Sequence, residues 1–416
     1  MRSRLSVTNS EKMLRALEQQ DLDLAQEYFL EAIRKDDDGT LYDLGLYLES
    51  LGFYDHAREI FLQLVSEFPE LYLNLAQIAN EDGEVEKAFT YLDQFSEDSP
   101  FYLEALVVKA DLYQSEGLAD VAREKLLEAL ALSDEPILVF GLAELDMELG
   151  NFPEAIQGYA QLDNREIYEE TGVSTYQRIG LAYASLGKFE AAIEFLEKAV
   201  ELEYDDQTVY ELATLLFDQG EYQKANLYFK QLDTINPDFE GYEYAYAQSL
   251  HAEHRLEEAL AMLEKGLAKN EFDQTLLLLA SQYAYENHDR QAAESYLLKA
   301  RESAEDLDEI SLRLSNLYLE QERFEDVVAL ASEELENVLA RWNIAKAYQA
   351  IEDTDRALVL FDQLKEDLAE NPEFLLDLIE VLRQEGALSE AKIWAGRYLN
   401  LVPDDMTMQE FYYQED

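Results

Sequence analysis

Twelve positions recur along this chain at a nearly constant interval, and that periodicity constrains the fold more than any other feature. The phrase Gly-x-aromatic-x-x-Ala appears as Gly150-Asn151-Phe152-Pro153-Glu154-Ala155, Gly187-Lys188-Phe189-Glu190-Ala191-Ala192 and Gly220-Glu221-Tyr222-Gln223-Lys224-Ala225. Aligned on its last residue, the series runs Ala25, Ala57, Ala88, Ala122, Ala155, Ala192, Ala225, Ala259, Ala293, Val327, Ala357 and Ala391. Most intervals are 31–34 residues, and only Val327 departs from alanine. Self-similarity at such a period marks stacked supersecondary units that share one continuous core. The 416 residues therefore need not divide into two or three globular domains.

A second small residue lies twelve positions before most anchors: Gly45, Ala76, Ala110, Ala143, Gly180, Ala213, Ala247, Ser281, Ser315 and Ala345. Two antiparallel helices whose axes approach to about 8–10 Å need small side chains where they cross. Four residues after the anchor a larger side chain follows, as in Phe29, Phe61, Leu92, Tyr159, Leu196, Phe229 and Phe361. That spacing keeps it on the anchor's helical face. Five residues before the anchor stand Gly52, Gly83, Gly117, Gly150, Gly187, Gly220 and Gly386, which suits a left-handed residue after a helix end. Pro69, Pro100, Pro237 and Pro403 punctuate the ends of second helices, and Pro153 suits the start of one.

Taken together, these positions resemble the tetratricopeptide repeat family, whose unit is 34 residues long. The resemblance covers residues 6–404, with units starting near 6, 38, 69, 103, 136, 173, 206, 240, 274, 308, 338 and 372. It implies an all-α fold: a right-handed superhelix, or solenoid, of about twelve helical hairpins whose concave face grips a peptide or partner domain. The first unit departs from the pattern, with Met13 and Gln20 where small and turn residues are expected, as a terminal repeat can. The apolar residues of 405–416 are expected to cap the other end. The interval stretches to 37 before Ala192, with the extra residues expected within 163–172, and shrinks to 30 before Ala357. These irregularities suggest blocks at 1–167, 168–336 and 337–416.

Charge narrows the partners. Asp and Glu number 90 against 32 Lys and Arg, for a net charge of −58. Nucleic-acid phosphates and anionic membranes both require a basic footprint, so neither is expected as a partner. No cysteine is present, which removes disulfide and thiolate chemistry. The basic start of the chain leads into Thr8-Asn9-Ser10-Glu11 and not an apolar core, and no long apolar run follows. A cytoplasmic, soluble protein is the expectation.

The search for chemistry returns little. His251 and His254 have i, i+3 spacing, and with His288 and Glu257 or Asp289 they invite a metal reading. His254 and His288, however, occupy the turn position held by glycine in seven other units, and His tolerates left-handed geometry. Asp36-Asp37-Asp38-Gly39 fails as a calcium loop, because Arg34 stands where an acid is required. No phosphate loop, nucleophile elbow or dinucleotide fingerprint is present. No cofactor or metal is expected, and an enzyme is disfavoured.

The positions that line the family's groove imply a recognition face here. It comprises Gln77, Asn80, Glu81, Asp111, Gln114, Glu144, Gln177, Tyr210, Tyr244, Gln248, Tyr285, Asn316 and Trp342, with Phe140, Met147, Phe217, His251 and Gln282 among them. Amides suit a peptide backbone, aromatics supply contact area, and acids select Lys or Arg. Some of these rings instead pack between neighbouring units. The cations Lys346 and Arg383 are exceptions, so a clamp for an acidic carboxylate tail is not expected. The leading expectation is a non-catalytic scaffold or adaptor for a protein or peptide with basic or mixed segments. A peptide-sensing regulator, or a regulatory subunit of an enzyme complex, is the alternative.

Overall fold

The computed structural model describes residues 7–414. Among them are 26 helices and no strand. Twenty-four of the helices pair into twelve consecutive antiparallel hairpins, one around each anchor. The fold divides into two compact units, Met1–Thr208 and Val209–Asp416.

The first unit holds hairpins 1 to 6. Their helices are Asn9–Glu18 and Leu22–Lys35, Asp38–Ser50 and Tyr54–Leu64, Leu71–Glu81 and Val85–Leu92, Tyr102–Ser115 and Ala119–Leu130, Pro136–Glu148 and Phe152–Tyr159, and Thr175–Ser185 and Phe189–Leu202. A single extra helix, Asn164–Thr171, lies between hairpins 5 and 6. The three residues that lengthen this interval are only part of its cost: the preceding second helix shortens to 8 residues. Asn164 then ties the insert down, its Oδ1 accepting from the Thr175 backbone N–H at 2.8 Å and from the Ser174 hydroxyl at 3.1 Å.

The division between units falls within the first helix of hairpin 7, Asp206–Asp218, which pairs with Tyr222–Ile235. Hairpins 8 to 12 are Tyr242–Ala252 and Leu256–Lys269, Gln274–Glu286 and Arg290–Ser303, Asp308–Glu320 and Phe324–Val328, Val338–Ala350 and Thr354–Leu364, and Pro372–Gln384 and Leu388–Leu401. The shortest interval has a plain cause, since the second helix of hairpin 10 is only 5 residues long. A final helix, Met406–Tyr413, lies on hairpin 12. Its Met408 is buried, its Tyr412 ring rests on Gly396, and Arg383 stacks over Phe411 at 4.5 Å.

The anchors do what their size suggests. All twelve are buried to 2% exposure or less. In hairpins 2 and 6 the small residue of the first helix faces the larger one of the second. A Cβ on Gly45 would meet Phe61 at 2.6 Å, and one on Gly180 would meet Leu196 at 2.7 Å. Such contacts are repulsive, so the close crossing depends on glycine there.

The turns share one backbone solution. Every residue five before an anchor has a positive φ, including Gln20, His254, His288, Glu322 and Glu352 beside the seven glycines. The next N–H reaches back five residues, as from Phe53 to Leu48 and from Asp353 to Tyr348, both at 2.9 Å. This is the Schellman closure that satisfies the last carbonyls of a helix. His254 and His288 are therefore turn residues. The three-aspartate run also has structural work: Asp36 accepts from the Ser10 and Asn9 backbone N–H groups, and Asp37 caps the next helix through the Thr40 N–H at 3.1 Å.

Candidate protein-binding face

The first helices of successive hairpins lie side by side in each unit, and their polar residues meet across the seam. In the first unit Gln114 donates to Glu148 at 2.7 Å, and Glu144 accepts from Arg178 Nε at 2.9 Å. In the second unit His251 pairs with Glu286 at 2.5 Å and stacks on Tyr283 at 4.2 Å. Farther along, the Tyr285 hydroxyl donates to Glu320, Asn343 donates to Asn316 at 2.7 Å, and the Trp342 indole donates to Asp377 at 3.0 Å. A run of such bonds holds first helices in register. It also withdraws several of the expected recognition residues from duty as free groups.

Four expected residues in hairpins 3 and 4 stand apart from that ladder. Gln77, Asn80, Glu81 and Asp111 are exposed, and none makes a side-chain hydrogen bond or ion pair among the described residues. Asp111 is exposed as a residue, yet the protein around its carboxyl removes enough water to hold it above the usual aspartate range.

The remaining expected residues are less available. Glu144 also accepts from the hydroxyl of the fully buried Tyr159 at 2.5 Å. Gln177 is half-buried and already engaged. Tyr210 packs its ring 5.4 Å from Phe239, and the Tyr244 hydroxyl accepts from Gln248 at 3.3 Å. Phe140 is buried against Tyr159, Phe217 lies on Tyr222, and Met147 is half-buried. Trp342 is only 7% exposed and packs edge-on to Phe374.

One cavity of about 520 Å³ gathers Gln282, Tyr285 and Asn316 from hairpins 9 and 10 with Asn343 and Lys346 from hairpin 11. Its apolar wall is Ala293, Leu297 and Leu317. Asn343 and Arg313 were missed by position counting alone, because Asn343 lies one residue after Trp342 and Arg313 three residues before Asn316. Lys346 sits 4.3 Å over the Trp342 ring. Loss of water lowers its ammonium pKa, against the pull of Asp377 and Glu373. Arg383, the other expected exception, is engaged with Phe411 as described.

Comparison with known proteins agrees with this architecture. The chain matches the YpiA-like C-terminal tetratricopeptide repeats over residues 339–405 and the YpiA-like tetratricopeptide repeats over 114–167. General tetratricopeptide repeat families match residues 173–206 and 42–102. The chain belongs to the tetratricopeptide repeat family. Among the relatives of this tetratricopeptide repeat protein is the TPR repeat-containing protein YpiA of Bacillus subtilis (strain 168). The two are 28% identical over 342 residues, covering 79% of this chain and 81% of the relative. Tetratricopeptide repeat protein 21B of Xenopus laevis is 23% identical over 410 residues, but those cover only 31% of its own length.

Solved structures that the chain matches include YrrB, described as a TPR protein with an unusual peptide-binding site. It shares 16% identity and a TM-score of 0.38, with 44% of this chain and 96% of that one covered. The C-terminal part of a TPR repeat-containing protein from Cytophaga hutchinsonii has 14% identity and a TM-score of 0.43, covering 66% and 100%. Tetratricopeptide repeats are protein–protein interaction scaffolds, and no helix among the described residues is long and apolar enough to cross a membrane.

Proposed function

We propose that this protein is a non-catalytic scaffold or adaptor that holds a peptide or partner protein of basic or mixed character along its first-helix face. The observation that carries the reading is the unpaired group in hairpins 3 and 4. Farther along that face Gln114, Glu144, His251, Tyr285 and Asn316 have polar partners, whereas Gln77, Asn80, Glu81 and Asp111 have none among the described residues. Two amides can pair with a peptide backbone, and two carboxylates can select Lys or Arg. The net charge of −58 draws the same class of partner from a distance.

The test compares the intact protein with a Glu81→Lys, Asp111→Lys double variant as affinity baits. Retained proteins are identified by mass spectrometry at low and high ionic strength. The reading expects partners with basic segments that salt removes and the double variant fails to retain. A retained set indifferent to charge reversal and to salt would overturn it.

A further inference from the structure

We infer that the apolar groove at the turn edge of hairpins 1 and 2 is the anchoring end of the same recognition face. Its occupant is an extended partner segment with one large apolar side chain about six residues from a Lys or Arg. The inference rests on the scaffold reading above and adds a residue pattern for the bound segment.

The groove comes from a change of residue type at repeating positions. Eleven residues before its anchor, hairpin 1 carries Leu14 where hairpins 3 and 4 carry Gln77 and Asp111. Eight before, it carries Leu17 where they carry Asn80 and Gln114. Leu22, Tyr47 and Leu51 complete the groove, and they are 64%, 48% and 49% exposed. Single exposed leucines are ordinary, but large apolar side chains gathered around one concavity of about 620 Å³ suit a bound apolar group. Glu18 is the one charged residue of the lining, so no cation there competes with the partner's own.

Continuity with the unpaired group identifies the occupant. The Asn74 amide of hairpin 3 donates to Glu49 of hairpin 2 at 2.7 Å, which joins their first helices side by side. Next along the face come Gln77, Asn80, Glu81 and Asp111, without polar partners among the described residues. Each of the two amides offers both a donor and an acceptor. An extended backbone can meet them, whereas the backbone groups of a helix are already bonded to one another. Packed helix axes lie about 8–10 Å apart, so two steps from the groove to the acids span about 20 Å. An extended chain rises about 3.3 Å per residue, which places the cation about six residues from the apolar anchor. A second copy of this chain is the poorer occupant, because a net charge of −58 opposes the approach of like surfaces.

The experiment titrates the full chain with fluorescent Gly/Ser peptides whose ends are blocked. The first carries Phe and a Lys pair at the spacing above, in either order, and the second brings them together. The third replaces Phe by Ser, and the fourth replaces the Lys pair by Gln. A Leu22→Gln, Leu51→Gln double variant tests the groove, with circular dichroism to check its fold and Tyr47→Gln as a second variant. Leu62→Gln, at a 50% exposed leucine on the second helix of hairpin 2, is the control. The groove is supported if the first peptide binds about ten-fold tighter than the others and the double variant, unlike the control, abolishes that advantage. Equal binding of the second peptide, or indifference to the groove variants, overturns it. If the third peptide binds as well as the first, the groove falls while the scaffold reading stands. If the fourth binds as well as the first, or none binds, both fall. Sedimentation of the chain alone covers the remaining case: self-association that the double variant abolishes assigns the groove to a second copy and overturns the inference.

Discussion

Glu144 on hairpin 5 accepts from Arg178 Nε on hairpin 6 at 2.9 Å, a bond between residues 34 positions apart that joins one repeat to the next. The same carboxylate accepts from Tyr159 within its own hairpin. Burial and that bond hold the Tyr159 phenol well above the ordinary tyrosine range, so it stays a donor at every working pH. Glu144→Ala strands a buried hydroxyl and leaves Arg178 without its acid. The expected cost is about 2–3 kcal/mol, while Arg178→Gln, which keeps the Tyr159 bond, should cost about 1 kcal/mol or less. Because repeat stability is largely a nearest-neighbour sum, faster amide exchange should concentrate in hairpins 5 and 6. Exchange spread evenly over the chain would contradict the assignment.

The turns make a prediction in the opposite direction. Glu322 and Glu352 hold positive φ at positions where seven other hairpins have glycine. A left-handed residue with a Cβ costs about 1–2 kcal/mol, partly offset by glycine's greater freedom when unfolded. Glu322→Gly and Glu352→Gly should each stabilise the protein by about 0.5–1 kcal/mol. Gly220→Ala should destabilise it by about 1 kcal/mol, and only through the backbone, because nothing lies within 4 Å of the added Cβ. Urea midpoints of the three variants decide the matter.

These turns also show why the hairpins were legible and the face was not. Anchor, small residue and turn repeat because every hairpin meets the same steric demand at the same step. The seam bonds obey no such rule. Whether Glu144 is free depends on what stands 34 residues later, and an arginine there is visible only when facing positions are compared in pairs. His251 with Glu286 and Tyr285 with Glu320, each 35 apart, carry the same signal. The helix Asn164–Thr171 was hidden for a different reason. A three-residue excess in spacing does not reveal that the preceding helix gives up its last turns.

Asp111 carries a pH prediction. Its folded pKa is raised by loss of water and by nothing that compensates, so folding favours the protonated acid. A raised carboxyl pKa means stability that is full below the unfolded value and is lost as pH rises through the folded one. Asp111→Asn should therefore leave the melting midpoint at pH 7 unchanged or slightly higher, and the gain should vanish on acidification below the ordinary aspartate value of 3.8. A clear loss of stability at pH 7 would reveal a partner within the fold and weaken its place in the binding face.

The chain as a whole supplies the last test. With 90 acids against 32 basic residues, most acids have no basic residue of their own to pair with, and the excess negative charge repels itself. Raising salt from about 0.01 M to about 1 M shortens the screening length from about 30 Å to about 3 Å. Close pairs such as Arg123 with the buried Asp146, at 2.6 Å, are sheltered from much of that screening, whereas the long-range repulsion is not. Added sodium chloride should therefore raise the melting midpoint while it weakens any charge-selected partner. The two responses must have opposite signs on the same protein sample. A midpoint that falls with salt would mean that attractive pairs outweigh the repulsion, and the acidic surface would then be serving the fold and not a cationic ligand.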